Sequence, residues 1–195
     1  METLLPLLGF AIAASVTPGP NTLMVAAMAA RGGAWAPLPA MFGISLGFAV
    51  LLLVAALGLA APLAASPAAQ AVLRWVGAGW LLWLAFRVAT APPPETGPSA
   101  RVMGFWGAAA FQWVNPKAWL VGLAAIAAFS APGEGLLGSG IRIAAVFGLV
   151  SMPALGVWAA LGAGAGRALR TARAWRIFNL VMGLLLAASI LPLLR

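Results

Sequence analysis

The chain of 195 residues contains no cysteine and no histidine. Without cysteine, disulfide bonds, thiolate nucleophiles and cysteine-ligated iron–sulfur clusters are excluded. Without histidine, the protein lacks the commonest metal ligand and the side chain best suited to shuttle protons near neutral pH. We therefore expect no metal site, no cofactor and none of the enzyme classes that depend on these residues.

Acidic residues are almost as scarce, because the chain has only Glu2, Glu95 and Glu134. Each lies at a terminus or in a predicted connection between apolar segments. No carboxylate is therefore available inside a membrane to relay protons, which disfavours a carboxylate-based pump or antiporter.

Apolar residues dominate what is present: hydrophobic residues make up 64% of the chain and charged residues 7%. A water-soluble fold could not bury that much apolar surface. A membrane-spanning helix needs about 20 mostly apolar residues. Segments of this kind occur at residues 4–30, 37–62, 68–90, 104–130, 138–165 and 174–194. The sequence thus predicts an all-α membrane protein with six transmembrane helices.

The one long connection, residues 91–103, is rich in proline and glycine and is typical of an extended linker. It divides the chain into two three-helix halves, residues 1–90 and 104–195. Because three is an odd number, the second half enters the membrane from the opposite face. The sequence therefore predicts the inverted-repeat arrangement of secondary transporters.

Arginine positions predict the orientation, because cytoplasmic loops retain lysine and arginine. One side of the predicted membrane carries Arg31, Arg87, Arg101, Arg167, Arg170, Arg173 and Arg176. The other side carries Arg74, Arg142 and Arg195. We therefore expect a cytoplasmic linker, both termini outside, and a multi-pass protein of a bacterial inner membrane. This interpretation accounts for the net charge of +8 without a nucleic-acid partner.

The first apolar span contains a predicted break, because Pro18 and Pro20 bracket Gly19. Each proline removes a backbone donor and clashes with the preceding turn. A break at membrane depth leaves peptide groups unpaired, which is tolerated only where they face protein or a watery cavity. Thr17 and Asn21 flank the break and could bind polar groups of a ligand. A packing kink capped by these two residues is the alternative.

A second break is predicted in the fourth span, where Gln112, Asn115 and Lys117 surround Pro116. Lys117 is the only lysine, and at 1.5 Å per residue it lies about 20 Å into the span, too deep to reach either surface easily. A buried ammonium is costly unless it is paired or hydrated. Lys117 therefore either binds a substrate carboxylate or caps the carbonyls that the break frees.

Glycines recur at the spacing of helix-packing motifs. Gly43 and Gly47 lie four residues apart in the second span, and Gly148 and Gly156 flank Pro153 in the fifth. Small residues at such positions let helices approach closely. We therefore predict helix-packing surfaces at these positions.

Three motifs together resemble the lysine-exporter (LysE/RhtB) family: Ser15-Val16-Thr17-Pro18-Gly19-Pro20-Asn21, Gly43-Ile44-Ser45-Leu46-Gly47 and Phe111-Gln112-Trp113-Val114-Asn115-Pro116-Lys117. The resemblance covers nearly the whole chain. It implies a secondary transporter that exports small amino acids or derivatives, such as cysteine, O-acetylserine, homoserine or threonine. Many members carry an acid where this chain has Phe48, which argues against a cationic substrate. Phe48 and the pair Phe105-Trp106 are more similar to the cysteine/O-acetylserine exporter branch.

Other function classes fit the sequence less well. An intramembrane protease needs a nucleophile–base pair or paired aspartates, and a thiol–disulfide carrier needs paired cysteines; the sequence contains neither set. A helix-rich scaffold would have no use for two broken helices and a buried lysine. A passive channel could use them and stays open as the alternative. A homodimer is likewise left open.

Overall fold

The computed structural model describes residues 4–59, 65–93, 103–130 and 135–191, and these residues form helices and short connections without a strand. The helices are α1 Leu4–Val16, α2 Pro20–Gly32, α3 Leu38–Val54, α4 Pro67–Ala89, α5 Phe105–Val114, α6 Pro116–Phe129, α7 Gly135–Ala168 and α8 Ala172–Ala188. A π-helical turn, Ala55–Leu59, extends α3. The predicted all-α class is confirmed. Most of the predicted linker, and all three acidic residues, lie outside the described residues.

Three segments are long and apolar enough to cross a membrane by length and composition: Leu38–Gly58, Pro67–Ala89 and Gly135–Ala168. They correspond to the second, third and fifth predicted spans. α1 and α6 are apolar as well but shorter. Each belongs to one of the two spans for which the sequence predicts a break.

Both predicted breaks are present. α1 ends at Val16 and α2 begins at Pro20; α5 ends at Val114 and α6 begins at Pro116. Proline suits the first position of a helix, because its fixed φ is helical and its missing N–H would have no partner there. Each break is therefore the end of one helix and the proline-led start of another.

The two halves of the chain are held together because helices of each half pack against helices of the other. α1 and α2 pack along α7, whereas α5 packs along α3. α3 also packs against α7, and α4 packs against α8. Helices adjacent in sequence, such as α2 and α3, touch far less. The fold therefore depends on contacts between the halves more than within them.

α3 and α5 approach closely at the glycine pair of α3. A Cβ atom at Gly43 would collide with the carbonyl oxygen of Phe105. A Cβ at Gly47 would lie 2.7 Å from the Cα of Ala109, well inside van der Waals contact. Only residues without a side chain fit here, so these two glycines determine the separation of the helices.

The structure corrects the packing surface predicted for the fifth span. A Cβ at Gly148 or Gly156 would meet no heavy atom within 4 Å. Pro153 is exposed, and α7 continues through it without ending. Spacing alone could not show which face of a 34-residue helix meets a neighbour, and these residues lie away from the closest contact.

α7 comes closest to a neighbouring helix about two turns after Gly156, where it packs against α2. A Cβ at Gly162 would collide with the carbonyl oxygen of Ala26, and one at Gly166 would collide with that of Ala30. α2 is correspondingly enclosed, since every residue from Thr22 to Ala30 is buried. The small side chains of α2 and α7 thus let a helix of 13 residues sit inside the protein.

We expect Gly162→Ala to destabilise the protein, because the added methyl group forces α2 and α7 apart. Overpacking of this kind costs about 1–3 kcal/mol, which should appear as a lower melting temperature in detergent. Gly164→Ala is the matched control, since a Cβ there meets nothing within 4 Å. Equal melting temperatures for the two variants would contradict the assigned contact.

Candidate functional site

Each break is capped by polar groups close to it in sequence. At the first, Gly19 is extended and precedes α2, and its N–H donates to Thr22 Oγ1 at 2.9 Å. The Thr22 hydroxyl in turn donates to the Gly19 carbonyl at 2.9 Å. At the second, Asn115 Oδ1 accepts from the Lys117 N–H at 3.2 Å and so caps α6. These caps satisfy peptide groups that the breaks would otherwise leave unpaired.

The two breaks meet through the side chain of Lys117. Its Nζ donates to the carbonyl of Thr17 at 2.8 Å and lies 3.5 Å from that of Pro18. Its aliphatic stem passes over Gly19, where a Cβ would lie only 3.0 Å from Lys117 Cδ. The ammonium of Lys117 therefore binds carbonyl groups just after the carboxyl end of α1, where a positive charge is favoured.

A pair of side-chain amides forms the second link between the breaks. Asn21 Nδ2 donates to Gln112 Oε1 at 2.9 Å, and Gln112 Nε2 donates back to Asn21 Oδ1 at 3.2 Å. Gln112 Nε2 also donates to the Ala108 carbonyl at 3.0 Å. Gln112 is fully buried, so these bonds replace the water that its amide would need. The pairing holds the start of α2 against the end of α5.

Two indole N–H groups satisfy further carbonyls that the breaks free, and the Thr17 hydroxyl adds a second bond to a carbonyl that already accepts from the Thr17 N–H. Trp158 Nε1 donates to the Val16 carbonyl at 3.1 Å, and Trp119 Nε1 donates to the Trp113 carbonyl at 2.9 Å. Thr17 Oγ1 donates to the carbonyl of Ala13 at 2.5 Å. The freed carbonyls of Val16 and Trp113 are therefore paired within the protein, as a low-dielectric environment demands.

The breaks and the unbroken helices α3 and α7 enclose a pocket of about 550 Å³, including the space at its mouth. The wall formed by the breaks carries the polar groups of Asn21, Gln112, Asn115 and Lys117. The wall formed by α3 and α7 is apolar apart from Ser151 and contains Ile44, Phe48, Phe147 and Leu155.

A second cavity of about 560 Å³ lies beside the first. Gly19, Pro20, Asn115 and Lys117 line both cavities. Leu81 of α4 and Ser189, just after α8, line the second cavity but not the first. The joined breaks therefore form a partition between two cavities, and the ammonium of Lys117 is part of that partition.

The predicted site residues are divided between these surfaces. Six of them line the pocket, namely Gly19, Pro20, Asn21, Gln112, Asn115 and Lys117. Pro18 and Pro116 line the second cavity instead. Thr17 lines neither cavity: its hydroxyl donates to the Ala13 carbonyl, and its own carbonyl accepts from Lys117 Nζ. Its part in substrate binding stays a prediction.

Sequence reasoning missed several polar residues of the site. Thr22 caps the first break, and its position three residues after Gly19 was the available signal. Ser45 and Ser151 are hydrogen-bonded at 2.6 Å between α3 and α7. Ser151 lines the pocket, as does Ser15 at the end of α1. A lone serine in an apolar run carries no signal strong enough to single it out.

Comparison with known proteins identifies the family of this chain. The family model described as LysE type translocator matches residues 12–193. The cysteine/O-acetylserine efflux protein of Escherichia coli strain K12 is 32% identical over 91% of this chain and 90% of its own length. The protein of the same name from Salmonella typhimurium strain LT2 is 33% identical over the same shares. No solved structure matches this chain. The chain is therefore a helical membrane protein that belongs to the LysE-type translocator family.

Proposed function

We propose that this protein is a secondary transporter that exports a small amino acid or derivative with a neutral side chain, of the cysteine/O-acetylserine type. The observation that carries the proposal is the position of Lys117, at the junction of two helix breaks and on the partition between two cavities. An ammonium at that point can meet an anionic group that arrives from either cavity. Export, and not uptake, follows from the efflux proteins to which the chain is similar.

Lys117 can bind a carboxylate without giving up its contact with α1. An ammonium has three donors, and here one is directed to the Thr17 carbonyl at 2.8 Å. The contact with the Pro18 carbonyl, at 3.5 Å, is weak. A substrate carboxylate would replace that weak contact with a shorter charge-assisted bond. The structural and the binding interpretations of Lys117 are therefore compatible.

The pocket is suited to a zwitterion with an uncharged side chain. Among the described residues that line it, Lys117 is charged and none is acidic. The substrate ammonium would be received by neutral oxygens of the break wall, such as those of Asn21 and Asn115. A second positive charge on the side chain would find no carboxylate and would be repelled by Lys117. Lysine and arginine are accordingly poor substrates in this proposal.

The proposal includes six spans arranged as inverted repeats. α1 with α2 and α5 with α6 would each form one broken span, and each packs against the middle helix of the opposite half. A twofold axis that relates the two halves would place each broken span against the middle helix of the other half. Equivalent breaks would then lie together near the bilayer midplane, where transporters of this plan bind substrate.

The proposed orientation is supported by the face on which arginines gather. Arg31, at the end of α2, donates to the carbonyl of Pro92 after α4 at 2.7 Å. Gly166, near the end of α7, packs on Ala30. The ends of α2, α4 and α7 thus share one face. That face bears most arginines of the chain and would be cytoplasmic in the inner membrane, with both termini outside.

We expect Lys117→Met to lower substrate affinity about ten- to a hundredfold, because a charge-assisted contact is worth roughly 1.5–3 kcal/mol. Lys117→Arg should retain part of the affinity, since it keeps the charge but changes the geometry. Affinity and melting temperature would be measured on the same purified variants, because loss of the Thr17 contact also lowers stability.

Trp119→Phe is the matched control for the Lys117 variants. It removes another hydrogen bond to a freed carbonyl, that of Trp113, without altering a residue that lines either cavity. We expect lower stability and unchanged affinity. If Lys117→Met behaved in the same way, Lys117 would be a structural tie alone and the carboxylate contact would be rejected.

Transport in proteoliposomes separates a carrier from a passive channel. Vesicles preloaded with unlabelled L-cysteine should transiently accumulate labelled L-cysteine against its gradient, because a carrier exchanges one substrate for another. Unlabelled L-lysine inside the vesicles should not drive this counterflow. Simple equilibration of label without an overshoot would support a channel instead.

Cysteine labelling tests the orientation in a protein that has no cysteine of its own. Ala34→Cys lies after α2 on the expected cytoplasmic side, and Ala68→Cys lies at the start of α4 on the expected outer side; both positions are exposed. An impermeant maleimide added to intact spheroplasts should label position 68 and spare position 34. The reverse pattern would invert the topology.

A further inference from the structure

Two buried serines join the unbroken helices that form the apolar wall of the pocket. Ser45 of α3 is 8% exposed and Ser151 of α7 is 7% exposed. Their Oγ atoms lie 2.6 Å apart. Ser151 lines the pocket and Ser45 does not. Ser151 is therefore the one hydroxyl among the described pocket-lining residues of this wall, with a second hydroxyl bonded to it.

The hydrogen bonds of this pair leave Ser151 able to bind one more group. Its Oγ lies 3.3 Å from the carbonyl of Gly148, to which it can donate, while it accepts from Ser45. A hydroxyl oxygen has two lone pairs, so one remains. The hydroxyl can also rotate and direct its proton into the pocket. Ser151 can thus serve either as an acceptor or as a donor.

A packing role explains the pair poorly. A hydrogen bond between transmembrane helices contributes about 0.6 kcal/mol on average. α3 and α7 already pack along each other through apolar side chains, and Phe48 meets Phe147 edge-to-face at 5.2 Å. Two alanines would fill the same places without burying hydroxyl groups. A pair of buried hydroxyl groups beside a pocket, in an otherwise apolar wall, points to a ligand.

We infer that Ser151, supported by Ser45, is the subsite for the polar group on the side chain of the substrate; this inference rests on the proposed export of a small amino acid. The break wall receives the carboxylate and the ammonium, so the side chain is directed towards α3 and α7. Ser151 then accepts a hydrogen bond from a thiol or hydroxyl, and after rotation it donates one to an ester oxygen. Ser151 is thus a specificity-determining residue, and Ser45 is a positioning residue.

The test compares L-cysteine with L-2-aminobutyrate, which has a methyl group in place of the thiol. Affinities of the purified protein are measured with a reductant present, which a cysteine-free chain tolerates. We expect Ser151→Ala to weaken binding of cysteine about three- to tenfold, the range of a net hydrogen bond, and to change binding of aminobutyrate less than about twofold. Ser151→Cys keeps a small polar group, so the ratio of its affinities for cysteine and aminobutyrate should lie between those of the wild type and Ser151→Ala.

Two further variants separate recognition from packing. Ser45→Ala deletes the same interhelical bond as Ser151→Ala, so it should lower the melting temperature equally while affecting cysteine binding less. Ser139→Ala alters another buried serine of α7, about 18 Å along the helix from Ser151, and should leave the ratio of the two affinities unchanged.

The outcomes distinguish this subsite from the transport proposal itself. If wild-type protein binds cysteine and Ser151→Ala leaves both affinities unchanged, the subsite is rejected and the transport proposal stands. A loss of equal size for both ligands would also reject it, because Ser151 would then contact groups that they share. If the wild type binds neither ligand, both proposals fail together.

Discussion

The need to pair backbone groups inside a membrane governs this structure. A helix break at that depth frees amides and carbonyls in a medium without water, where each unpaired group costs several kcal/mol. At the first break, partners for the freed carbonyls come from the opposite half of the chain: Lys117 reaches the Thr17 carbonyl, and Trp158 reaches that of Val16. The first break therefore depends on the opposite half for the pairing of these carbonyls. The pairing that stabilises the fold also assembles the site.

Close helix packing makes this pairing possible. Lipid supplies no hydrophobic force between helices, so contact depends on small residues that let backbones approach. Gly162 and Gly166 bring α7 onto α2, and Gly43 and Gly47 bring α3 onto α5. α3 and α7 in turn form the rigid wall that faces the breaks. These glycines do not line the pocket, but they determine how far apart the helices of its polar and apolar walls lie.

The chemistry of the site follows from how few charges it contains. One ammonium, two amides joined to each other and capped helix ends make the break wall polar without an acid. Such a surface favours a carboxylate and tolerates an ammonium through neutral oxygens. Four residues of the breaks, Lys117 among them, line both cavities, so the proposed substrate would meet Lys117 from either side. In the proposed function, specificity for the side chain is assigned to the wall of α3 and α7.

The sequence alone determined the helical membrane class, the two breaks and the residues that meet there, because proline and a lone lysine in apolar runs have strong local consequences. It could not assign the hydroxyl of Thr17 to α1, nor choose Gly162 over Gly148 as the contact of α7. It gave no sign that Ser45 and Ser151 are partners. Those outcomes depend on which helix faces meet, and that is decided by contacts between residues about a hundred positions apart, as the 2.6 Å bond from Ser45 to Ser151 illustrates.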